Sequence, residues 1–209
     1  RIIVIFADST GHGLNAGLLM LLARSAAHTQ SRVDPSVSAI TRAINDVICE
    51  VFGATLFMTY VCMLFDRNAK TIEYTNAGQQ SHPYLYRMAS GEFDPLASQT
   101  FQLGIQAGAA YTSEIMSYEP GDLLVCYSDG IIEAPYCPPG ADDVDRTQEF
   151  GDDRIEALIV KTSEMKPQDV IDELQKQARE WCVFFDGHVT LNGVEHDGDD
   201  ITNLVVRMR

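Results

Sequence analysis

Hydrophobic and polar residues alternate along the chain with two different periods, and these periods predict its first elements. The apolar, β-branched run Ile2–Ala7 predicts a strand buried on both faces. The apolar stretch Leu14–Ala27 predicts a core helix. A second helix is predicted to about Phe52, with Asp34 as its N-cap and Pro35 as its first residue. Two helices therefore follow the first strand without a strand between them.

The rest of the chain is predicted to begin with strands and to end with two helices and a strand. Residues 89–110 show little periodicity and predict a loop, and residues 186–197 predict a loop or a weak strand. The segment 135–150 is rich in Pro, Gly and acids and predicts a mobile surface loop. The predicted strands are Leu56–Phe65, Thr71–Thr75, His82–Met88, Thr112–Tyr118, Leu123–Tyr127 and Ile201–Met208, and the later helices are Asp152–Ser163 and Pro167–Phe185.

Composition narrows the class of protein. The 209 residues fit one domain, and 45% hydrophobic and 22% charged residues are ordinary for a chain with a real core. The net charge of −15 argues against a nucleic-acid surface, which needs clustered Lys and Arg. We expect no membrane span and no signal peptide, because the apolar helix is short and carries Asn15 and Arg24.

The chain begins at Arg1 and runs directly into a strand, so we expect a fragment of a longer protein.

The cysteines favour a reducing setting. They are odd in number, far apart in the sequence and without C-x-x-C spacing, so they predict neither a disulfide framework nor a zinc site. A cytoplasmic location is the simplest interpretation. The five are Cys49, Cys62, Cys126, Cys137 and Cys182.

Acidic residues lie at the ends of three predicted strands. Asp8 and Asp129 follow strands and precede Gly-containing turns, and the pair Asp199-Asp200 precedes the last strand. Three converging carboxylates would repel one another unless they were protonated or bridged by cations. A site for Mg²⁺ or Mn²⁺ is therefore one hypothesis. The alternative is that each acid is an ordinary turn residue.

A dinucleotide-binding loop is the rival interpretation of the first turn. Residues 11–16 match G-x-G-x-x-A between a strand and a helix. A dinucleotide fold needs a second strand that ends in an acid about 20 residues later, whereas residues 35–51 are predicted to be helical. Asp8 would also place negative charge beside the pyrophosphate. We reject this interpretation.

Six short motifs follow one another along the chain. They are Asp8-Ser9-Thr10-Gly11-His12-Gly13 with Ala16 and Met20, Thr75-Asn76-Ala77-Gly78, Pro120-Gly121-Asp122, Tyr127-Ser128-Asp129-Gly130-Ile131 with Glu133-Ala134, Phe150-Gly151, and Asp199-Asp200-Ile201-Thr202. Their order resembles the metal-dependent protein phosphatases (PPM), specifically the bacterial SpoIIE-type serine phosphatase branch, and the resemblance runs from Ile2 to the C-terminus.

This resemblance implies a fold and a metal site. The implied fold is a single α+β domain over residues 1–209, an α-β-β-α sandwich of two antiparallel sheets flanked by helix pairs. The implied cofactors are two Mn²⁺ or Mg²⁺ ions. By position, Asp8 would bridge both ions, the backbone carbonyl of Ser9 would add a ligand, and Asp129 and Asp199 would each bind one ion or the shared waters. A metal-activated water would then attack phosphorus in one step.

The sequence departs from the family pattern in three places. The Gly-Asp ligand on a strand upstream of Asp8 is not within these residues. Gln79 stands where many members have His. The acidic insertion at 135–149 is longer than expected and is either a lid or a loop.

Other polar and aromatic residues carry weaker signals. His12 either donates a proton to the leaving oxygen or bonds within its turn. Glu133 either supports the metal ligands or caps a helix. Trp181 is expected in the core. Four further histidines are expected at the surface or in loops: His28, His82, His188 and His196.

Two functions from different classes follow. The first is a phosphoserine/phosphothreonine protein phosphatase that acts on a small phosphorylated regulator, such as an anti-sigma-factor antagonist, with an upstream sensory or receiver domain and a possible homodimer. The second is a catalytically weak or inactive pseudophosphatase that binds a signalling partner, suggested by the missing upstream acid and by Gln79.

Overall fold

The computed structural model describes residues 1–79, 83–97, 100–185, 187–198 and 201–209. The chain forms two compact units: unit 1 contains residues 1–82, 96–119 and 209, and unit 2 contains residues 83–95 and 120–208. Among the described residues, each unit has one four-stranded antiparallel sheet and a pair of longer helices, and unit 2 also has a short third helix. In chain order the elements are β1 (Ile2–Ser9), α1 (Leu14–Gln30), α2 (Val37–Phe52), β2 (Met58–Asp66), β3 (Thr71–Ala77), β4 (Tyr84–Tyr86), β5 (Phe93–Pro95), β6 (Glu114–Ser117), β7 (Leu123–Tyr127), α3 (Asp129–Ile132), β8 (Pro135–Tyr136), β9 (Asp145–Glu149), α4 (Asp152–Thr162), α5 (Pro167–Trp181), β10 (His188–Leu191), β11 (Val194–Asp197) and β12 (Asn203–Arg207).

Unit 1 contains the sheet β1-β2-β3-β6, in which every neighbouring pair is antiparallel. Helices α1 and α2 pack against each other and against this sheet. The apolar positions of α2 recur at helical spacing, so one face of the helix enters the core while the other stays in water. The central buried side chains of this unit are Leu19, Ile40, Ile44, Ile48, Tyr60 and Leu103.

The first strand and the first helix are less buried than their sequences predict. Ile2 and Ile5 on β1 are 54% and 40% exposed, so the prediction of a strand buried on both faces is wrong. The reason is that β1 lies at the edge of its sheet in the described part of the chain. Helix α1 buries a stripe that includes Leu19 but exposes Leu14 and Leu21 on the opposite side, because it packs through one face only.

Unit 2 contains the sheet β12-β7-β4-β5, also antiparallel throughout. Strand β7 is buried along its whole length, and α5 packs against β12. Two small hairpins complete the described part of this unit, β8–β9 and β10–β11. Its central buried side chains are Leu123, Val125, Tyr127, Ile155, Leu174, Phe185 and Val205.

The segment 135–150, predicted as a mobile surface loop, contains the short strands β8 and β9 and forms a hairpin whose side chains contact distant parts of unit 2, and its mobility stays a prediction. The ring of Tyr136 lies 4.6 Å from that of Trp181 on α5, and the indole N–H of Trp181 donates to the carbonyl of Ala134 at 3.0 Å. The side chain of Asn192, in the β10–β11 turn, donates to the carbonyl of Asp142. These contacts come from distant parts of the sequence, which explains why local composition indicated a loop. The expectation that Trp181 lies in the core is confirmed, because it packs against the core cluster of unit 2.

The other predicted elements agree with the structure apart from their ends, several short strands and the four-residue helix α3, which was not predicted. Helix α2 begins at Val37 with Ser36 as its N-cap, so the N-cap assignment of Asp34 is wrong. The Asp34 carboxylate instead accepts the backbone N–H of Ser36 at 3.0 Å. Strands β5, β8 and β9 lie in segments predicted as loops, and the weak strand predicted after residue 186 is the hairpin β10–β11. Within the described residues, we find no helix whose length and apolarity would let it cross a bilayer.

Candidate metal centre

The backbone around Asp8 is held by β2 and by Phe57, the residue directly before that strand. Asp8 and Ser9 are the last residues of β1, where they pair with Thr59 and Met58 of β2. Immediately afterwards, the N–H and the hydroxyl of Thr10 both donate to the carbonyl of Phe57, at 3.0 and 2.8 Å. The Asp8 carboxylate and the Ser9 carbonyl therefore lie at a strand end whose position is fixed by the sheet, as a pre-organised ligand requires.

The Gly-His-Gly turn after Thr10 needs glycine for its backbone shape. Gly11 and Gly13 have φ values of +79° and +75°, a region that other residues rarely adopt. A β-carbon at either position would meet no atom within 4 Å, so close packing is not the reason for these glycines. Gly13 is the N-cap of α1. His12 is exposed in this turn, and its role as a proton donor stays a prediction.

Asp129 lies where β7 ends and α3 begins. It is exposed, whereas Ser128 before it and Gly130 after it are buried. The backbone N–H of Ser128 donates to the carbonyl of Thr202, and the N–H of Thr202 donates to the hydroxyl of Ser128, both at 3.0 Å. This reciprocal pair joins the end of β7 to the segment that enters β12. Sequence analysis did not assign this role to Ser128 and Thr202, although both lie in the quoted motifs.

Asp199 and Asp200 lie outside the described residues, but the residue before them is well defined. The N–H of Gly198 donates to the carbonyl of Gly187 at 2.9 Å. A β-carbon on Gly198 would lie 2.2 Å from the carbonyl oxygen of Phe184 and 2.4 Å from that of Phe185. Only glycine allows this approach. The backbone that leads into Asp199 is therefore fixed against the loop after α5.

A cavity of about 150 Å³ in unit 2 is lined by residues next to two of the predicted ligands, Asp129 and Asp199. Gly130 directly follows Asp129, and Gly198 directly precedes Asp199. Glu133, the C-cap residue of α3, lies on the same cavity. The turn of Asp129 and the approach to Asp199 therefore border one cavity. Its remaining lining residues are Ala134, Pro135, Arg146, Cys182, Phe184 and Phe185.

The available donors are suited to a hard cation. Carboxylates and a backbone carbonyl are oxygen ligands, which Mg²⁺ and Mn²⁺ prefer. Asp8 belongs to unit 1 and Asp129 to unit 2. Among the described residues, no three His, Cys, Asp or Glu side chains form a group that could hold an ion. The ligand roles of Asp8, Ser9, Asp129 and Asp199 therefore stay predictions.

Two motifs of the family pattern have structural roles here. The Asn76 side chain accepts the N–H of Gln79 at 3.0 Å and donates to the carbonyl of Leu96 at 2.8 Å, which shapes the turn after β3. The buried Asp122 carboxylate accepts the backbone N–H of Met88 and a guanidinium N–H of Arg87, at 3.1 and 3.2 Å. These polar groups organise backbone within their own units.

Gln79 and the described histidines do not contribute to a metal-binding group in the described part of the chain. The Gln79 side chain is buried, and its Oε1 has no hydrogen-bond partner among the described residues. His28 and His188 are exposed, while the ring of His196 stacks on Phe184 at 5.4 Å. His82 lies outside the described residues.

Comparison with solved structures gives the class of fold. The chain resembles the SiaA-PP2C domain of Pseudomonas aeruginosa with a TM-score of 0.75 at 18% identity, covering 99% of this chain and 76% of that one. It also resembles the catalytic domain of the serine threonine protein phosphatase PstP, solved in complex with 2 manganese ions, with a TM-score of 0.56 at 16% identity over 84% of this chain and 81% of that one. The chain has the PP2C fold, which confirms the predicted α+β PPM class.

Comparison of sequences gives the family. The chain belongs to the family described as Stage II sporulation protein E (SpoIIE), whose sequence model matches residues 1–209. The predicted resemblance is confirmed. The phosphoserine phosphatase RsbU of Bacillus subtilis (strain 168) is 26% identical over 130 residues, which are 62% of this chain and 38% of RsbU. The chain thus spans less than half the length of this curated relative.

Proposed function

We propose that this chain is a Mn²⁺- or Mg²⁺-dependent phosphatase that hydrolyses phosphoserine or phosphothreonine in proteins. The observation that carries the proposal is the hydrogen-bond pair between Ser128 and Thr202, which joins the strand ends next to Asp129 and Asp199 in a member of the SpoIIE family. The manganese ions in the related PstP structure and the activity in the name of RsbU support the same chemistry.

In this proposal the chain supplies oxygen ligands on rigid backbone. Asp8 would hold both ions, the Ser9 carbonyl would add a ligand, and Asp129 and Asp199 would each hold one ion or the shared waters. When bound, the ions supply an activated water and neutralise charge on the phosphoryl oxygens. The sheet ladder at β1 holds the backbone of Asp8, and the Ser128–Thr202 pair joins the end of β7, just before Asp129, to the segment that enters β12. No side chain needs to form a covalent bond to phosphorus.

The substrate and setting are proposals from the same resemblance. We propose phosphoserine on a small regulatory protein of the anti-sigma-factor antagonist type as the substrate, with a sensory or receiver domain upstream and a homodimer as the assembly. This is signal transduction in the stress response through sigma-factor regulation, and the name of RsbU supports the phosphoserine specificity. The five free thiols are in keeping with a reducing cytoplasm.

The substitution Asp129→Asn tests the proposal. It keeps the size of the side chain but removes the anionic ligand, and Asp129 is exposed, so the fold should survive. We expect Mn²⁺-dependent hydrolysis of a phosphoserine peptide to fall more than about a hundredfold, because loss of groups that merely orient metal ligands already costs about 10–100-fold. Circular dichroism should remain that of the wild type.

Asp142→Asn is the matched control, because Asp142 is another exposed acid of unit 2 and lies in the β8–β9 hairpin. It should hydrolyse the peptide like the wild type. Unchanged hydrolysis by Asp129→Asn would refute the role of Asp129 as a ligand.

A further inference from the structure

Two cysteines that the proposed reaction does not use are neighbours across a β-bridge in unit 2. Cys137, directly after β8, and Cys182, directly after α5, are bridge partners in parallel orientation. The N–H of Cys137 donates to the carbonyl of Trp181 at 2.9 Å, and the N–H of Val183 donates to the carbonyl of Cys137 at 2.7 Å. Both thiols are free, and both side chains are fully buried in the same core cluster.

This arrangement matches the spacing that a disulfide needs. Hydrogen-bonded neighbouring strands lie about 4.7–4.9 Å apart, and bridge partners project to the same face of the ribbon. Disulfides join residues whose Cα atoms are about 4.4–6.8 Å apart. The two thiols are also close enough to interact electrostatically. Burial is the main cause that raises the pKa of Cys182, and the neighbouring Cys137 raises this pKa further.

The surroundings differ for the two thiols. Cys182 lines the cavity of about 150 Å³, which exceeds the roughly 30 Å³ that one water molecule occupies in the liquid, so a molecule the size of hydrogen peroxide fits there. Arg146 lines the same cavity, and its charge favours the Cys182 thiolate. Cys137 is not among the cavity residues.

We propose that Cys137 and Cys182 are a redox modification site, at which peroxide oxidation produces a reversible disulfide that fastens the β8–β9 hairpin to the end of α5. The Cys182 sulfur attacks one peroxide oxygen, the O–O bond breaks, and a sulfenic acid and one water form. The Cys137 sulfur then attacks the Cys182 sulfur, and the hydroxyl leaves with the thiol proton as a second water. Two electrons pass from the two thiols to one peroxide, and a dithiol reductant returns them.

The test is peptide mapping of the folded protein after treatment with hydrogen peroxide and alkylation of the remaining thiols. We expect a cross-linked peptide pair that contains Cys137 and Cys182 and that disappears after dithiothreitol. Cys126 is the internal control, because it is equally buried but its strand partner is Leu204. Recovery of Cys137 and Cys182 as unmodified thiols, in a sample where the less buried Cys49 is oxidised, would overturn the proposal.

Two variants test which cysteines take part in the cross-link, and hydrogen exchange tests whether the cross-link fastens the hairpin. Cys137→Ser should leave Cys182 as a sulfenic acid that dimedone traps, whereas Cys126→Ser should form the same cross-link as the wild type. In the oxidised wild type, amide hydrogen exchange in residues 135–149 should slow relative to the reduced protein, because the hairpin can no longer separate from α5. A cross-link between other cysteines, or unchanged exchange in the cross-linked protein, would contradict the proposed fastening.

Discussion

The substitution Gly198→Ala tests whether the backbone before Asp199 has the position that the proposed site needs. The new β-carbon would lie 2.2 Å and 2.4 Å from two backbone carbonyl oxygens, those of Phe184 and Phe185. Backbone atoms cannot rotate away as a side chain can. Either the loop after α5 or the segment that carries Asp199 must move.

The distances set the size of the effect. Ordinary contact between such atoms begins at about 3.4 Å, so the displacement is about 1 Å. Overpacking of this kind costs about 1–3 kcal/mol, and a cost near 2 kcal/mol lowers the Tm of a domain of this size by about 4–8 °C. Misplacement of a catalytic group by about 1 Å can reduce the rate by about a hundredfold. We therefore expect a modest loss of stability and a large loss of Mn²⁺-dependent hydrolysis.

Gly187→Ala is the matched control. Gly187 accepts the hydrogen bond from Gly198, yet a β-carbon there would meet no atom within 4 Å. Both variants would be compared by thermal unfolding and by the rate on a phosphoserine peptide as a function of Mn²⁺ concentration. Gly187→Ala should behave like the wild type. If Gly198→Ala also kept the wild-type rate and Mn²⁺ dependence, the position of this backbone would not matter to the reaction.

Two further substitutions test the account of stability. Asn45→Ala removes the side-chain oxygen that accepts the N–H of Gly104 and the hydroxyl of Tyr111, both at 3.0 Å. The two donors would then be buried without this partner, so the free energy of unfolding measured with urea should fall by about 2–5 kcal/mol. The control Asn68→Ala, at an exposed position, should lower it by less than about 0.5 kcal/mol. Equal losses in the two variants would show that the hydrogen bonds of Asn45 do not stabilise the fold. Glu156→Gln tests a titration: partial burial and then Asp152 and Asp153 raise the pKa of Glu156. Its charged form therefore destabilises the fold, so wild-type stability falls as pH rises from about 4.5 through the raised pKa. Glu156→Gln should have the higher Tm at pH 7, and the difference should vanish below about pH 4; a lower Tm at pH 7 would contradict this sign.

The periodic elements could be predicted because their pattern reflects which face is buried. The spacing of Ile40, Ile44 and Ile48 placed α2 correctly, and all three are buried. In α1, residue type does not show which side of the helix is buried, because leucines lie on both the buried and the exposed sides. Leu19 is fully buried and Leu14 is 78% exposed, a difference that depends on packing partners and not on residue type.

Tertiary contacts decided the features that sequence analysis missed. The composition of residues 135–150 indicated a loop. The contact between Tyr136 and Trp181 that holds this hairpin joins residues far apart in the chain, so local composition does not reveal it. The tight approach of Gly198 to Phe184 is likewise invisible in the sequence. Motif order was sufficient for the family and the fold class. The roles of individual ligands depend on carboxylate geometry and stay predictions.

Isothermal calorimetry with Mn²⁺ on the folded protein measures directly whether Asp8 helps to hold two ions. We expect the wild type to bind two Mn²⁺ ions and Asp8→Asn, which removes a carboxylate proposed to hold both ions, to lose this binding while its circular dichroism spectrum is unchanged. A folded wild type that bound no Mn²⁺ would refute the two-ion site and would favour a partner-binding pseudophosphatase.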